Sequence, residues 1–340
     1  MRIAFVGTDL APLREESGAL ERVVLAWAEG LGSRGHETAC FDASPDGPPL
    51  SRLGAFGPDL VVLNNRPGWS ELVEPQVAVL QVLHNYEDAW SAGGAGGGYE
   101  RALARPCSAV VAVSQALARH VESTFRTPVA VGVAAVAVEE CFFEARWHGK
   151  GGPVLFPNRI LEKKGVRFFL ELAARLAPDG YDCRLFSHTA PFAPPLGEQR
   201  ELLALAACSP QVELAEPPPG RAEMAAAYAG AGVVVCPSCR PEGLGLVALE
   251  AQAVGAPLVT SGLGGLAEVT LAPNEVVTCF DLSLWAEAID RACRRAGSGA
   301  PSRLVADRHR PEAAAASLER EALRLLSGQR GRSTGQRQRV

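Results

Sequence analysis

Two glutamates, Glu242 and Glu250, fall in the stretch PEGLGLVALEA that runs from residue 241 to 251. Its centre, Gly243-Leu244-Gly245-Leu246-Val247-Ala248, has the spacing G-x-G-x-x-A of a dinucleotide-binding turn. Such a turn needs its first glycine directly after a strand, so that the pyrophosphate rests on the next helix N-terminus. Here Pro237 to Glu242 intervene after the apolar run Val233 to Val235. Glu242 would also set a carboxylate beside the diphosphate, an arrangement that repels at any dielectric. A dehydrogenase turn is therefore disfavoured. Glu250 raises a different question, because the helix around it reads Leu246, Val247, Ala248, Leu249, Ala251, Ala253 and Val254, apolar on nearly every face. That is the pattern of a buried helix. A buried carboxylate must meet a cation, amide donors or a ligand hydroxyl. A salt bridge to an arginine would satisfy it with no function at all.

The cations are unevenly chosen. Thirty arginines stand against three lysines, and two of the three are Lys163 and Lys164. In so arginine-rich a chain an adjacent lysine pair marks a place where the compact ammonium matters. The pair lies in FPNRILEKKGV, residues 156 to 166, together with Arg159; a solvated Glu-Lys-Lys helix start is the competing reading. His84 closes the apolar run Val77 to Leu83, a place where a histidine is either a structural hydrogen-bonder or a site residue. Nine cysteines, an odd and scattered set, do not form a disulfide framework in a chain of this length. Cys236 and Cys239 make one C-x-x-C, but zinc needs two further ligands. No helix N-terminus sits directly on Cys236 to activate it. Buried or strand-end thiols are the expectation, and no metal site.

The elements that must position these residues follow a regular rhythm. At 340 residues, 47% hydrophobic and 21% charged, the chain is globular and long enough for two cores. Strands are predicted at Ile3 to Val6, Glu37 to Phe41, Leu60 to Leu63, Val77 to Leu83, Ala109 to Val113 and Val129 to Val133. Helices are expected from Gly18 to Leu31, near Tyr99 to Arg105, and from Ser114, an N-cap, to Phe125. After a linker at Gly149 to Pro153 the alternation resumes. It has strands at Val154 to Phe156, Cys183 to Phe186, Val212 to Leu214, Val233 to Val235, Leu258 to Thr260 and Val276 to Cys279. Helices are expected over 164–177, 198–207, 221–229, 245–254, 283–295 and 311–326. This β-α-β order implies parallel sheets, and two such α/β domains imply a cleft between them where a ligand binds. The glycine-rich segment 90–98 is either a lid over that cleft or a plain surface loop. Residues 1–148 form the expected first domain and 149–310 the second. Residues 311–327 form a C-terminal helix that crosses back to the first domain, and 328–340 a basic disordered tail.

Net charge is −5, and the tail alone holds four arginines and no acid, so the body is more acidic still. That opposes a nucleic-acid-binding surface. No apolar run reaches the roughly 18 to 20 residues of a membrane span. Met1-Arg-Ile-Ala-Phe-Val begins as a buried strand, without the layout of a signal peptide. A cytoplasmic protein is expected, its membrane association peripheral at most. Arg101, Arg105, Arg119 and Arg126 could touch an anionic lipid surface, with a solvated face as the simpler reading.

The segment CPSCRPEGLGLVALEAQAVGAP, residues 236 to 257, followed by Gly264-Gly265 and Glu268, resembles the donor-site signature of retaining GT-B glycosyltransferases, specifically glycosyltransferase family 4. FPNRILEKKGV resembles the same family's G-R-L-x-x-x-K-G element, with Asn158 where glycine is usual. Ser17-Gly18-Ala19-Leu20-Glu21 is similar to its Gly-Gly loop, although a positive φ at Ala19 would be strained. The resemblance implies that Gly243 and Gly245 let backbone N–H groups of Gly243, Leu244, Gly245 and Leu246 approach donor oxygens, with the helix N-terminus facing the phosphates. Glu250, about five residues further and roughly 7 to 8 Å along the axis, would hold ribose hydroxyls. Glu242 would engage the donor sugar. Arg159 and Lys164 would neutralise the departing diphosphate. Gly18 and Ala19 would approach the donor through their amides, and His84 would face the reacting sugar. The family's usual N-G-V-D is replaced by Val131 to Val138, and its glycine-rich turn after Phe186 by Ser187-His188-Thr189. No Asp-x-Asp occurs, so a metal site of the GT-A kind is unsupported.

The expected protein is thus a GT-B α/β enzyme, two Rossmann-like doubly wound domains facing a central cleft. It would move a sugar from a nucleotide-diphosphate-sugar co-substrate to a small-molecule, glycan or lipid-linked acceptor hydroxyl with retention, independently of metal or cofactor. Natural-product tailoring and cell-envelope glycan synthesis both suit it. A nucleotide-sugar epimerase and a non-catalytic nucleotide-sugar-binding homologue are the alternatives.

Overall fold

The computed structural model describes residues 1–7, 18–42, 51–64, 73–86, 108–124, 131–187, 197–295 and 302–336. The chain divides into two compact units, Met1–Ala137 with Pro311–Val340, and Val138–Arg310.

The sheet of the first unit contains β1 (Arg2–Gly7), β2 (Glu37–Asp42), β3 (Leu60–Asn64), β4 (Ala78–Leu83), β5 (Ser108–Ala112) and β6 (Val131–Val133), ordered β2-β1-β3-β4-β5-β6. All its pairings are parallel. Every residue of LVVLN in β3 and of AVLQVL in β4 is buried, as expected of strands covered on both faces. Helix Ala19–Ser33 buries Val23, Val24, Trp27, Ala28 and Leu31, the spacing of one helical stripe. Ser114 caps helix Gln115–Thr124 as its type predicts, its Oγ accepting from Leu117 N at 3.1 Å.

The second sheet contains β7 (Val154–Phe156), β8 (Cys183–Phe186), β9 (Val212–Ala215), β10 (Val233–Cys236), β11 (Leu258–Thr260) and β12 (Glu275–Val276), ordered β12-β11-β10-β7-β8-β9, again all parallel. The chain winds from β7 outward to β9, then returns to β10 and winds the other way. The switch therefore falls between β7 and β10, which pair through Val154 with Val233 and Leu155 with Val234. In open α/β sheets a ligand crevice lies beyond the strand ends at such a switch. Helix Val166–Leu176 packs Val166, Phe169, Leu172, Ala173 and Leu176 into this core.

Several elements differ from the sequence expectation. The helix expected over 164–177 is broken. A 3-10 turn, Glu162–Lys164, ends on Gly165, whose φ of +81° is left-handed, and the α-helix starts at Val166. A Cβ on Gly165 would lie 2.0 Å from the Pro237 carbonyl oxygen, so only glycine fits. The strand expected at Val276 to Cys279 is the two-residue β12, Glu275–Val276. The short helices Ser51–Phe56, Glu140–Glu144, Leu266–Val269 and Arg303–His309 carry too few turns to show a period.

The first unit ends at Ala137, before the linker expected at 149. The intervening helix Glu140–Glu144 buries Phe142 and Phe143, and Phe142 meets Tyr228 edge-on with ring centroids 5.7 Å apart. The last helix, Pro311–Gln336, continues through the start of the segment read as a disordered tail. No proline after Pro311 interrupts it, and extending a formed helix costs less than nucleating one. The expected helix at Tyr99 to Arg105, the 90–98 loop, and Arg101, Arg105 and Arg126 lie outside the described residues.

Candidate donor site and the histidine of the first unit

Both motifs singled out in the second half of the chain leave the two strands that flank the switch. β7 leads into Asn158, Arg159 and Lys164; β10 leads into the loop from Pro237 to Gly245 and then helix Leu246–Val254. Their side chains meet. Lys164 Nζ lies 2.5 Å from Glu242 Oε1, and the Ser238 hydroxyl donates to the same oxygen at 2.6 Å. Lys164 and Glu242 each keep 17% of their side-chain surface exposed. Burial pushes the Glu242 carboxyl up, but the Lys164 ammonium and the hydrogen bonds from Lys164 and Ser238 outweigh it, holding the pKa below its ordinary value. Glu242 is therefore an anion at neutral pH. Ser238 is itself anchored, its carbonyl accepting from the Ser261 hydroxyl at 2.7 Å.

The backbone around Glu242 is clamped against Gly264 and Gly265. Glu242 N donates to Leu263 O at 3.2 Å, and Gly265 N donates to Glu242 O at 2.8 Å. A Cβ on Gly264 would come within 2.5 Å of Glu242 O, and one on Gly265 within 2.5 Å of Gly243 O. Gly245, at φ +107°, turns the chain into the helix. The first bonds of that helix are donated by Ala248 and Leu249 to Gly245 O. The amides of Gly243, Leu244, Gly245, Leu246 and Val247 reach no acceptor among the described residues. They form a row of donors at the positive end of a buried helix, chemistry suited to phosphate or hydroxyl oxygens.

Glu250 is buried, at 7% exposure, and each of its oxygens has a partner. The Arg221 guanidinium pairs with Oε1, and the Tyr228 hydroxyl donates to Oε2 at 2.8 Å. The cation that the sequence argument requires is thus an arginine. Burial and the neighbouring Glu250 push the Tyr228 phenol well above its ordinary value, so it remains a donor. Arg159 is exposed and forms no ion pair with a described residue. Asn158 is buried, and its amide donates to Val235 O at 3.4 Å, so its side chain fills space along β10 that a glycine would leave open.

The cysteines behave as thiols. Cys236 ends β10 fully buried, its pKa pushed up to about 12 chiefly by burial. Cys239 is exposed and donates to Glu162 O at 3.1 Å. Among the described residues every cysteine is free, and no three His, Cys, Asp or Glu side chains gather as a metal site. No described helix is long and apolar enough to cross a membrane.

In the first unit His84 follows β4, and its Nε2 lies 3.0 Å from Asn64 Oδ1 at the end of β3. Asn64 Nδ2 donates to Val6 O and Val62 O at 3.3 and 3.5 Å, so Oδ1 must accept. His84 therefore carries its proton on Nε2. The imidazole packs beside Trp27, with centroids 5.8 Å apart, and burial lowers its pKa to about 3, keeping it neutral. Gly18 is the extended N-cap of helix Ala19–Ser33, at φ −62°. Ala19 is already helical, so the strain expected from a positive φ does not arise.

Sequence reasoning missed Arg221, Tyr228, Asn64 and Trp27. They come from elements distant in the chain, and no local motif marks them. Ser238 stood inside the quoted motif but had no assigned part.

Two parallel doubly wound α/β sheets define a GT-B fold. Sucrose-phosphate synthase from Thermosynechococcus elongatus superposes with a TM-score of 0.77 at 18% identity, over 96% of this chain and 99% of that one. The Anabaena protein Alr3699/HepE, solved in complex with UDP-glucose, gives a TM-score of 0.73 at 14% identity, over 95% and 99%. Residues 152–295, within the second unit, match the family of glycosyl transferases group 1. The chain is similar to the D-inositol 3-phosphate glycosyltransferase of a Mycobacterium species, 33% identical over 147 residues, which is 42% of this chain and 32% of that protein. The alignment spans about a third of the length of this curated relative.

Proposed function

We propose that the protein transfers a sugar from a nucleoside-diphosphate sugar to an acceptor hydroxyl with retention of anomeric configuration. The observation that carries this reading is the Lys164–Glu242 pair beside the amide row Gly243 to Val247, at the switch between β7 and β10. In this reading the amides, Lys164 and Arg159 receive the diphosphate and stabilise the charge that grows on it as the glycosidic bond breaks. Glu242 accepts hydrogen bonds from sugar hydroxyls, which fixes the donor's orientation. Glu250 takes the ribose. His84 and the amides at Gly18 and Ala19 serve the reacting end of the sugar from the first unit. His84, held neutral and protonated on Nε2, acts there as a hydrogen-bonding group and not as a cation. The acceptor attacks from the face that the diphosphate leaves, with a departing phosphate oxygen taking its proton, and no metal takes part.

The test begins with thermal unfolding against UDP, GDP, ADP, dTDP and NAD. UDP heads the panel because the Anabaena neighbour was solved with UDP-glucose. A ligand at 100 times its Kd stabilises by about 2.7 kcal/mol, roughly 5 to 10 °C for units of this size. The matching sugar donor is then offered to an acceptor set starting with D-inositol 3-phosphate, the acceptor in the relative's name. NMR of the product reads the anomeric configuration. No shift with any nucleoside diphosphate, or a product of inverted configuration, would sink the proposal.

A further inference from the structure

Arg221 and Tyr228 sit seven residues apart on helix Arg221–Ala229, on one face, and both end on Glu250. Each has further contacts. Arg221 donates Nε to Glu139 Oε2 at 2.5 Å while pairing with Glu250, and its guanidinium lies over the Phe142 ring, 4.7 Å from the centroid. Tyr228 is buried, with its ring edge-on to the same Phe142. The terminal torsion of a glutamate is otherwise broad. Here each Glu250 oxygen accepts one bond from a donor that is itself tied to a second partner, which orients the carboxylate plane.

One bond per oxygen leaves capacity. A carboxylate has about four acceptor positions, and the protein fills one on each oxygen of Glu250. Among the described residues the cation that meets Glu250, Arg221, is shared with Glu139. Burying such a group on the apolar helix LVALEAQAV is at best neutral for stability, because desolvation offsets the pairing. What the arrangement does provide is two acceptor oxygens at fixed positions, one turn into the helix whose start presents the amide row. Two neighbouring hydroxyls are the complement of that pair.

We propose that Arg221 and Tyr228 are positioning residues that hold Glu250 as a double acceptor for the 2′ and 3′ hydroxyls of the donor ribose, so that the protein distinguishes ribonucleotides from 2′-deoxyribonucleotides. This rests on the donor reading above. The hydrogen bond lost in a deoxy ligand is charge-assisted, which corresponds to about tenfold in affinity or more.

The experiment is calorimetric titration of UDP, GDP and ADP, each beside its 2′-deoxy form, into the unaltered protein, Tyr228→Phe and Arg221→Lys. The expected result is tighter binding of one ribonucleotide over its deoxy partner by about tenfold in the unaltered protein. In both variants that ratio falls toward one while the deoxy form binds as before. In turnover the donor KM rises by a similar factor with kcat within about twofold. Thermal unfolding confirms that each variant is folded, and if Arg221→Lys is not, Tyr228→Phe alone decides. Absence of nucleoside diphosphate binding in the unaltered protein removes the donor reading itself. Binding with an undiminished ribose-to-deoxyribose ratio in the folded variants leaves the donor reading standing and overturns the positioning role. So does an equal loss of both ligands.

Discussion

The two parallel sheets reverse at different places, between β1 and β3 in the first and between β7 and β10 in the second, and the strand ends that carry candidate site residues differ in charge. In the second unit the strands flanking the switch lead to an ion pair, Lys164 with Glu242, an exposed Arg159 and a row of amides. In the first unit β3 and the neighbouring β4 end in neutral hydrogen-bonding groups, Asn64 and His84, backed by the Trp27 indole. The contrast teaches that a doubly wound sheet supplies only a place for a ligand. The charge of that place is set by the few residues after each strand. In the proposed reading the diphosphate meets the cations and amides after β7 and β10. Burial beside Trp27 lowers the His84 pKa to about 3, which keeps the imidazole neutral near pH 7.

The comparison breaks most visibly at Lys164. Replacing it by Ala removes the cation assigned to the leaving group and strands Glu242 in a part-buried place, and kcat is expected to fall by about two to three orders of magnitude. Steady-state transfer assays measure this, and near-normal turnover would refute the charged role of the second switch. Next comes Gly165→Ala. Its Cβ would meet the Pro237 carbonyl at a left-handed φ, so a stability loss of about 1 to 3 kcal/mol is expected from chemical denaturation. The hydrogen bond between His84 and Asn64 should be insensitive to such a change.

Acid separates the two ends. A histidine whose pKa is depressed on folding leaves the unfolded chain binding more protons, so stability falls as pH drops below the unfolded value of about 6.5 and levels only near the folded value of about 3. The slope from His84 is up to about 1.4 kcal/mol per pH unit, and His84→Gln should flatten denaturation midpoints measured between pH 6.5 and 4.5. Glu242 behaves otherwise. Its depressed pKa contributes stability that is fully present above the ordinary carboxylate value of about 4.3 and is lost only as pH falls through its folded value. A variant at Lys164 should therefore change the acid limb only below that range. Equal slopes for His84→Gln and the unaltered protein would show that the end of β4 is not the neutral environment described. The smallest effect is expected at Ser114→Ala, where loss of the cap on helix Gln115–Thr124 costs about 1 kcal/mol. A thermal scan registers it, and activity should not change.

The strands and the two cores were legible because parallel strands buried on both faces read as short apolar runs. Val154 to Phe156, Val233 to Val235 and Leu258 to Thr260 appear in the structure within a residue of their sequence bounds. The helix break at Gly165 was not legible. The reason for it is the Pro237 carbonyl, which belongs to the loop after β10, far later in the chain. The same holds for Glu250. Its helix and its need for a cation followed from composition, but which of thirty arginines answers it depended on how helix Arg221–Ala229 packs against helix Leu246–Val254. The sequence by itself determined the local quantities: which residues bury, where a helix starts, and that a carboxylate on an apolar helix needs a partner. Only the tertiary structure decided the pairings, Lys164 with Glu242, Arg221 and Tyr228 with Glu250, and Asn64 with His84. The physical reason is range: burial and helix initiation act over a few residues of chain, whereas a hydrogen bond acts over about 3 Å of space, and sequence separation carries no information about that distance.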